Sequence, residues 1–289
     1  MLFALSSGCI GIFGGDTDSA SSETDAPGGT DEPDAPGETD SPPDADTRAN
    51  CTSVWNSDSD NSGTNDWRMT YLYNASGDAA HADYEATANG TVDMTTDWEY
   101  RTDLQLDRYI IDYSPFGSAD VLYDYIYDAD RLVQLVIDID GDGAPDAITD
   151  YEYDNQAQIA FTIEDWDANG TPDGMWFYDY DADGHRILEQ MDESMDGSID
   201  RYIYYSYDGD HLVQTLIDWE ADGNPDYVSE NTWDGNTLTR VDVDSDGDGT
   251  VDVVYHYAYD SMHRVIAYTM DDGVDGDLDS SATISWECP

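Results

Sequence analysis

The sequence predicts an all-β domain of nine β-hairpin repeats, each 26–27 residues long, forming a closed or rolled antiparallel sheet. Three observations predict it. A nine-residue acidic pattern close to D-x-D-x-D-G-x-x-D begins at Asp58, Glu85, Asp112, Asp138, Asp165, Asp192, Asp218, Asp244 and Asp271. After each copy, aromatic residues take alternate places, as in a half-buried strand. No segment has helical periodicity. A period of this length marks a repeat architecture in which each unit buries its apolar face against its neighbours. A flattened barrel or two stacked sheets, with the aromatic face inside, is the first expectation. A propeller of four-stranded blades fits less well, because two hairpins per blade leave half a blade over.

The chain divides into three parts. Residues 1–9 end in LFALSSGC, which resembles a bacterial lipobox and implies a lipid on Cys9, although Leu5 stands one place further upstream than usual and no positive segment precedes it. Residues 10–50 form an acidic tether. Positions 16–49 are Ser, Thr, Asp, Glu, Pro and Gly with almost no apolar side chain, so burial cannot offset the entropy of ordering them. A flexible chain of that length holds its cargo about 35 Å from its anchor. No stretch is long and apolar enough to span a bilayer. Residues 51–289 are the repeat domain.

Within the domain, each acidic loop comes first. Hard cations take six to eight oxygens at about 2.3–2.6 Å, and acids at alternate places in a tight turn converge on one point. Glycine holds position six in all nine copies. The candidate ligands are Asp58, Asp60 and Asp66 in the first loop and Asp138, Asp140, Asp142 and Asp146 in the fourth. The fifth offers Asp165, Asp167, Asn169 and Asp173, and the sixth Asp192, Asp196 and Asp200. The seventh offers Asp218, Glu220, Asp222 and Asp226, the eighth Asp244, Asp246, Asp248 and Asp252, and the ninth Asp271, Asp275 and Asp279. The copies at 85–93 and 112–120 are the weakest. All-oxygen donors point to calcium, and with no histidine in any loop zinc and copper are disfavoured. Calmodulin-type EF-hands need a bidentate Glu at position twelve, where this chain has residues such as Met69, Thr149 and Trp176. The loops resemble the nine-residue calcium loops of integrin-type propellers, a likeness confined to the loops.

A strand follows each loop. Five and seven places after the ninth-position residue come pairs such as Tyr71 and Tyr73, Tyr151 and Tyr153, and Tyr205 and Tyr207; sixteen of these eighteen places are aromatic. Both fall on one face. A tight turn comes next, as in YDADGHRI (180–187), YDADRLV (127–133) and YDGDHLV (207–213). The second strand then ends in an apolar residue (Ile111, Ile137, Met191, Ile217) before the next loop. The turn segments resemble YD repeats of the RHS type, with a signature near YxYDxxGRL. The resemblance implies a rolled sheet of hairpins, with a YD-shell-like spiral as second architecture, and a surface location. It imports no toxin activity, because no toxin domain follows.

Cys51 and Cys288 stand where a ninth tight turn belongs, so a disulfide there would close the structure and remove its edge strands. Disulfides persist in oxidising compartments. A net charge of -57 with nine Arg and no Lys excludes nucleic-acid and anionic-membrane binding. Membrane contact is expected only through the lipid on Cys9. A halophile's acidic surface would explain the bulk charge but not the phase of the loops. Paired carboxylates abound, His185 and His211 stand just after the tight turn and read as turn residues, and His81, His256 and His263 have no Ser or Cys partner in a suggestive context, so no enzyme is expected. The expected function is a calcium-stabilised, surface-tethered structural or adhesive module. The alternative is a glycan- or ligand-binding module that stacks sugars on exposed rings such as Trp166 and Trp219.

Overall fold

A computed structural model describes residues 48–114 and 119–289. Cys9, nearly all of the acidic tether and positions 115–118 of the third loop lie outside the described residues. Strand β1 (Thr52–Asp58) leads into eight hairpins. These are β2 (Trp67–Tyr73) with β3 (Ala79–Glu85), β4 (Met94–Tyr100) with β5 (Leu106–Asp112), β6 (Val121–Asp128) with β7 (Arg131–Asp138) and β8 (Ala147–Tyr153) with β9 (Ile159–Asp165). Then come β10 (Gly174–Tyr180) with β11 (Arg186–Asp192), β12 (Arg201–Asp208) with β13 (His211–Asp218), β14 (Tyr227–Asp234) with β15 (Thr237–Asp244) and β16 (Val253–Tyr259) with β17 (Val265–Asp272). The last strand is β18 (Ser280–Glu287).

Every strand pairs antiparallel with its chain neighbours, and β1 also pairs with β18, from Thr52↔Glu287 to Asp58↔Ser281. The result is an 18-stranded closed barrel. Cys51 and Cys288 are joined by a disulfide, with Cα atoms 4.2 Å apart. It takes the place of the missing ninth turn. The closed form, rather than the spiral or the propeller, is the one adopted. The described acidic loops therefore sit at one rim and the tight turns at the other.

The aromatic faces point inward. Tyr71, Tyr73 and Tyr205 are buried, and Trp176 is fully so. One cluster packs Met69, Tyr71 and Tyr73 with Trp55, Trp98 and Trp286 around Cys51. A second packs Trp176, Met191, Ile203 and Tyr205. Burial pushes the Tyr109 phenol up to about 12 and raises Tyr151 and Tyr178 as well. Outward places carry residues such as Asp150, Glu152 and Ser206.

Each hairpin shifts register by one residue just before the second aromatic, for instance between Leu72 and Tyr73 and between Glu152 and Tyr153. Such a bulge bends the strand and re-aims its side chain. The re-aimed ring reaches the previous hairpin. Tyr100, Tyr127 and Tyr153 donate their hydroxyls to the carbonyls of Ala79, Leu106 and Leu132 at 2.8, 2.9 and 2.7 Å. The indoles of Trp233 and Trp286 do the same to Leu212 and Val265, both at 2.9 Å. A basic side chain then lies on several of these rings, as Arg101 does on Tyr127 and Arg264 on Trp286. The second aromatic of these repeats thus sews hairpin to hairpin.

On the outer face, His81 lies between Asp97 at 2.6 Å and Asp83 at 3.3 Å. Burial alone would lower its pKa, but the hydrogen bonds and charges of the two aspartates outweigh it, and the net shift is upward. A raised folded-state pKa gives stability that is complete below the ordinary value of 6.5 and lost as pH rises through the folded value. The melting temperature is expected to fall between mildly acidic and mildly alkaline pH, and His81→Gln should flatten that slope. An unchanged slope in the variant would assign it to other groups.

Candidate metal loops at one rim of the barrel

Each loop leaves a strand that ends on the inner edge, so its first acid is drawn into the sheet. Asp58, Asp138, Asp165, Asp192, Asp218 and Asp244 are all buried. The glycine at position six donates its N–H to that carboxylate, at 2.6 Å in Gly63→Asp58 and Gly170→Asp165 and 2.7 Å in Gly223→Asp218 and Gly249→Asp244. At the other end, the second residue's N–H donates to the ninth aspartate, as Ile139 does to Asp146 and Ser245 to Asp252 at 2.7 and 2.8 Å. The ninth residue's own N–H returns to the carbonyl ahead of the loop, as in Asp146→Ile137 and Asp252→Val243. The fifth side chain accepts from the seventh N–H, as Asp142 does from Ala144 and Asn169 from Thr171. One network, written in each of the eight fully described loops, folds the acids inward.

Consecutive loops also touch. A Cβ on Gly141 would come within 2.1 Å of the Ala119 carbonyl oxygen, and one on Gly247 within 1.9 Å of that of Pro225. Only glycine fits at these fourth positions. Gly273 donates its N–H to the Asp252 carbonyl at 2.6 Å, docking the ninth loop on the eighth.

Among the described residues, four loops gather three carboxylates with ligand oxygens within 4.8 Å of one another: Asp58, Asp60 and Asp66; Asp138, Asp140 and Asp146; Asp165, Asp167 and Asp173; and Asp244, Asp246 and Asp248. The remaining acids spend their oxygens on the loop backbone. Asp142, Asp196, Asp222 and Asp275 accept from the seventh N–H, and Asp200, Asp226, Asp252 and Asp279 from the second. Asp192, Asp218 and Asp271 each hold two backbone N–H groups. Glu220 stands in the seventh loop at position three, where the four gathering loops have Asp60, Asp140, Asp167 and Asp246. Hydrogen bonds from Ser62, Asn169 and Ser198 hold Asp60, Asp167 and Asp196 below the usual carboxylate range, so they are ionised at neutral pH.

Asp244 differs from the other first acids. Its residue is 6% exposed, and its Oδ1 is buried with no hydrogen-bond donor. In the loops at 58, 165 and 218 the equivalent oxygen accepts the fifth residue's N–H; in this loop Asp248 donates to Asp246 instead, at 3.2 Å. A buried, ionisable oxygen without a donor costs free energy unless a cation meets it. The donor set is oxygen only and fits a hard ion.

The two loop tryptophans are half-exposed, with one side of each engaged. Trp166 donates its indole N–H to Glu164 at 2.6 Å, and its ring lies over Gly174, where a Cβ would approach within 2.8 Å. Trp219 stacks under the Arg201 guanidinium, 4.7 Å away.

Two interior carboxylates stand where most other repeats have apolar or aromatic residues. Glu164 and Glu189 are buried on β9 and β11, and burial raises both pKa values against the pull of their partners. Tyr205 donates to Glu189 at 2.8 Å and Arg186 pairs with it at 3.1 Å. The departure from the pattern, Glu for Met191 or Ile217 at the loop-proximal place and for Tyr109 or Leu135 two places earlier, is the signal that marks them.

No protein-family model matches the sequence, and no curated protein matches it. Among solved structures, the chain is similar to a porin-like protein from Bacteroides uniformis ATCC 8492, at 12% identity and a TM-score of 0.44 over 83% of this chain and 98% of that one. It is also similar to a chain of the TcdB2-TccC3-Cdc42 complex, at 14% identity and a TM-score of 0.33 over 75% of this chain and 16% of that one. A chain of the Photorhabdus luminescens Tc holotoxin pore matches at 14% identity and a TM-score of 0.30, over 74% and 15%.

Proposed function

We propose that this chain is a calcium-stabilised structural or adhesive module of the cell surface, built from YD-type hairpins and tethered through Cys9. The observation that carries the calcium reading is the eighth loop, where Asp244, Asp246 and Asp248 converge and the buried Asp244 Oδ1 has no donor. Three carboxylates so close repel one another unless a cation lies between them. Three further loops along the same rim also gather three carboxylates, there from positions one, three and nine, so ions in these loops would clamp successive hairpins at their junctions. The module is non-catalytic: its charge serves ion binding and solubility. Tethering outside the cell is supported by the disulfide and by the lipobox-like segment. The adhesive partner is a surface protein or glycan.

Calorimetric titration with calcium tests the reading. Four or more equivalents are expected, with Kd of about 10⁻⁴–10⁻³ M, the range of extracellular modules. Asp246→Asn, which alters an exposed oxygen of the eighth loop, should remove one equivalent. A wild-type protein that takes up no calcium, or a variant with undiminished stoichiometry, contradicts the assignment.

A further inference from the structure

We propose a second, chemically different metal site at the opposite rim, in the turn between β10 and β11, that takes a divalent first-row transition ion. Asp181, Asp183 and His185 bring their ligand atoms within 4.8 Å of one another. His185 Nδ1 lies 3.1 Å from Asp181 Oδ2. Zinc-class ions bind imidazole nitrogen and carboxylate oxygen at about 2.0–2.2 Å, which sets neighbouring ligand atoms about 3.0–3.4 Å apart. The observed separation is the edge of such a polyhedron.

The other imidazole nitrogen is also held. His185 Nε2 lies 3.4 Å from Asp210 Oδ1, which belongs to the turn of the next hairpin. A metal-ligating histidine characteristically gives its far N–H to a carboxylate, which fixes ring orientation and raises ligand basicity. The ring is further fixed by stacking on Tyr207, centroids 4.6 Å apart and planes inclined by 17°. Asp183 is exposed and Asp181 partly so, so an ion can reach them from solvent. Calcium is a poor fit, because imidazole suits zinc, copper, iron and nickel.

The turn itself does not require the imidazole. Gln158 and Arg264 occupy the equivalent place after Asp154 and Asp260 and donate the same backbone N–H to the same aspartate oxygen, at 3.0 and 3.1 Å, as His185 does at 3.0 Å. Among the described turns, this one combines two aspartates and a histidine with a carboxylate reaching across from its neighbour. A bound ion would staple the β10–β11 hairpin to the β12–β13 hairpin at the end of the barrel away from the acidic loops.

An imidazolium pinned between Asp181 and Asp210 would show the same distances, and titration separates the two. The full-length protein, held in saturating calcium so that the acidic loops are occupied, is titrated with zinc chloride at neutral pH. One equivalent of zinc is expected. His185→Gln, which installs the residue already found in the turn after Asp154, should abolish that uptake with the fold retained by circular dichroism. Asp210→Asn should weaken it tenfold to a hundredfold, and Asp183→Asn at least tenfold. No uptake by the wild type, equal uptake by His185→Gln, or uptake that calcium displaces would each overturn the proposal.

Discussion

Replacing Cys51 and Cys288 together with alanine is expected to lower stability by about 4–5 kcal/mol, with the barrel opening first between β1 and β18. The two cysteines are 237 residues apart in sequence, and cross-linking a loop that long removes roughly 5 kcal/mol of chain entropy from the unfolded state in the entropic model. The pairing of β1 with β18 remains in the variant, so the barrel should still form at low temperature. Denaturant titration measures the loss, and hydrogen exchange locates it: amides of β1 and β18 should lose protection before those of β8 to β13. Reduction of the wild type should reproduce the variant. If the midpoint stays where it was, strand pairing alone closes the barrel and the disulfide is thermodynamically idle.

Chelation should have an effect of similar size. An ion about tenfold above its Kd stabilises the folded state by roughly 1.4 kcal/mol per site. The four loops that gather three carboxylates would together contribute about 5–6 kcal/mol, comparable with the whole stability of many domains, about 5–15 kcal/mol. A melt in chelator against one in millimolar calcium reads this directly. Ionic strength must be matched with sodium chloride, because a chain of net charge -57 gains from screening alone. Magnesium at equal concentration should substitute poorly, since it demands octahedral geometry and keeps its waters. Identical midpoints under both conditions would leave the loops as turns stitched by their own hydrogen bonds.

Much of this was legible in the residues. The period gave nine units, and the alternation gave strands with Tyr71, Tyr151 and Tyr205 facing in. The phase of Cys51 and Cys288 gave closure. The bulge at each second aromatic was not visible, because Tyr151 and Tyr153 share one strand face in a linear reading and only the register shift separates their tasks. Which loops gather their acids has a simple residue-level cause. All four have aspartate at position three, while the others carry Thr87, Ser114, Ser194, Glu220 or Gly273 there. The D-x-D-x-H spacing of Asp181, Asp183 and His185 lies open in the sequence; only Asp210, which arrives from another hairpin, has no local spacing to announce it. Glu164 and Glu189 break the apolar pattern openly, but only the fold shows that their partners are Trp166 and Tyr205.

Because each hairpin bonds only to its two neighbours, the molecule is modular around its circumference. A tandem duplication of one repeat would widen the ring and leave every internal junction as it was. The seam at the two termini must absorb whatever mismatch of curvature results. Growth or shrinkage by whole units is therefore cheap for this architecture, whereas an indel of a few residues inside a strand would throw an entire face out of phase.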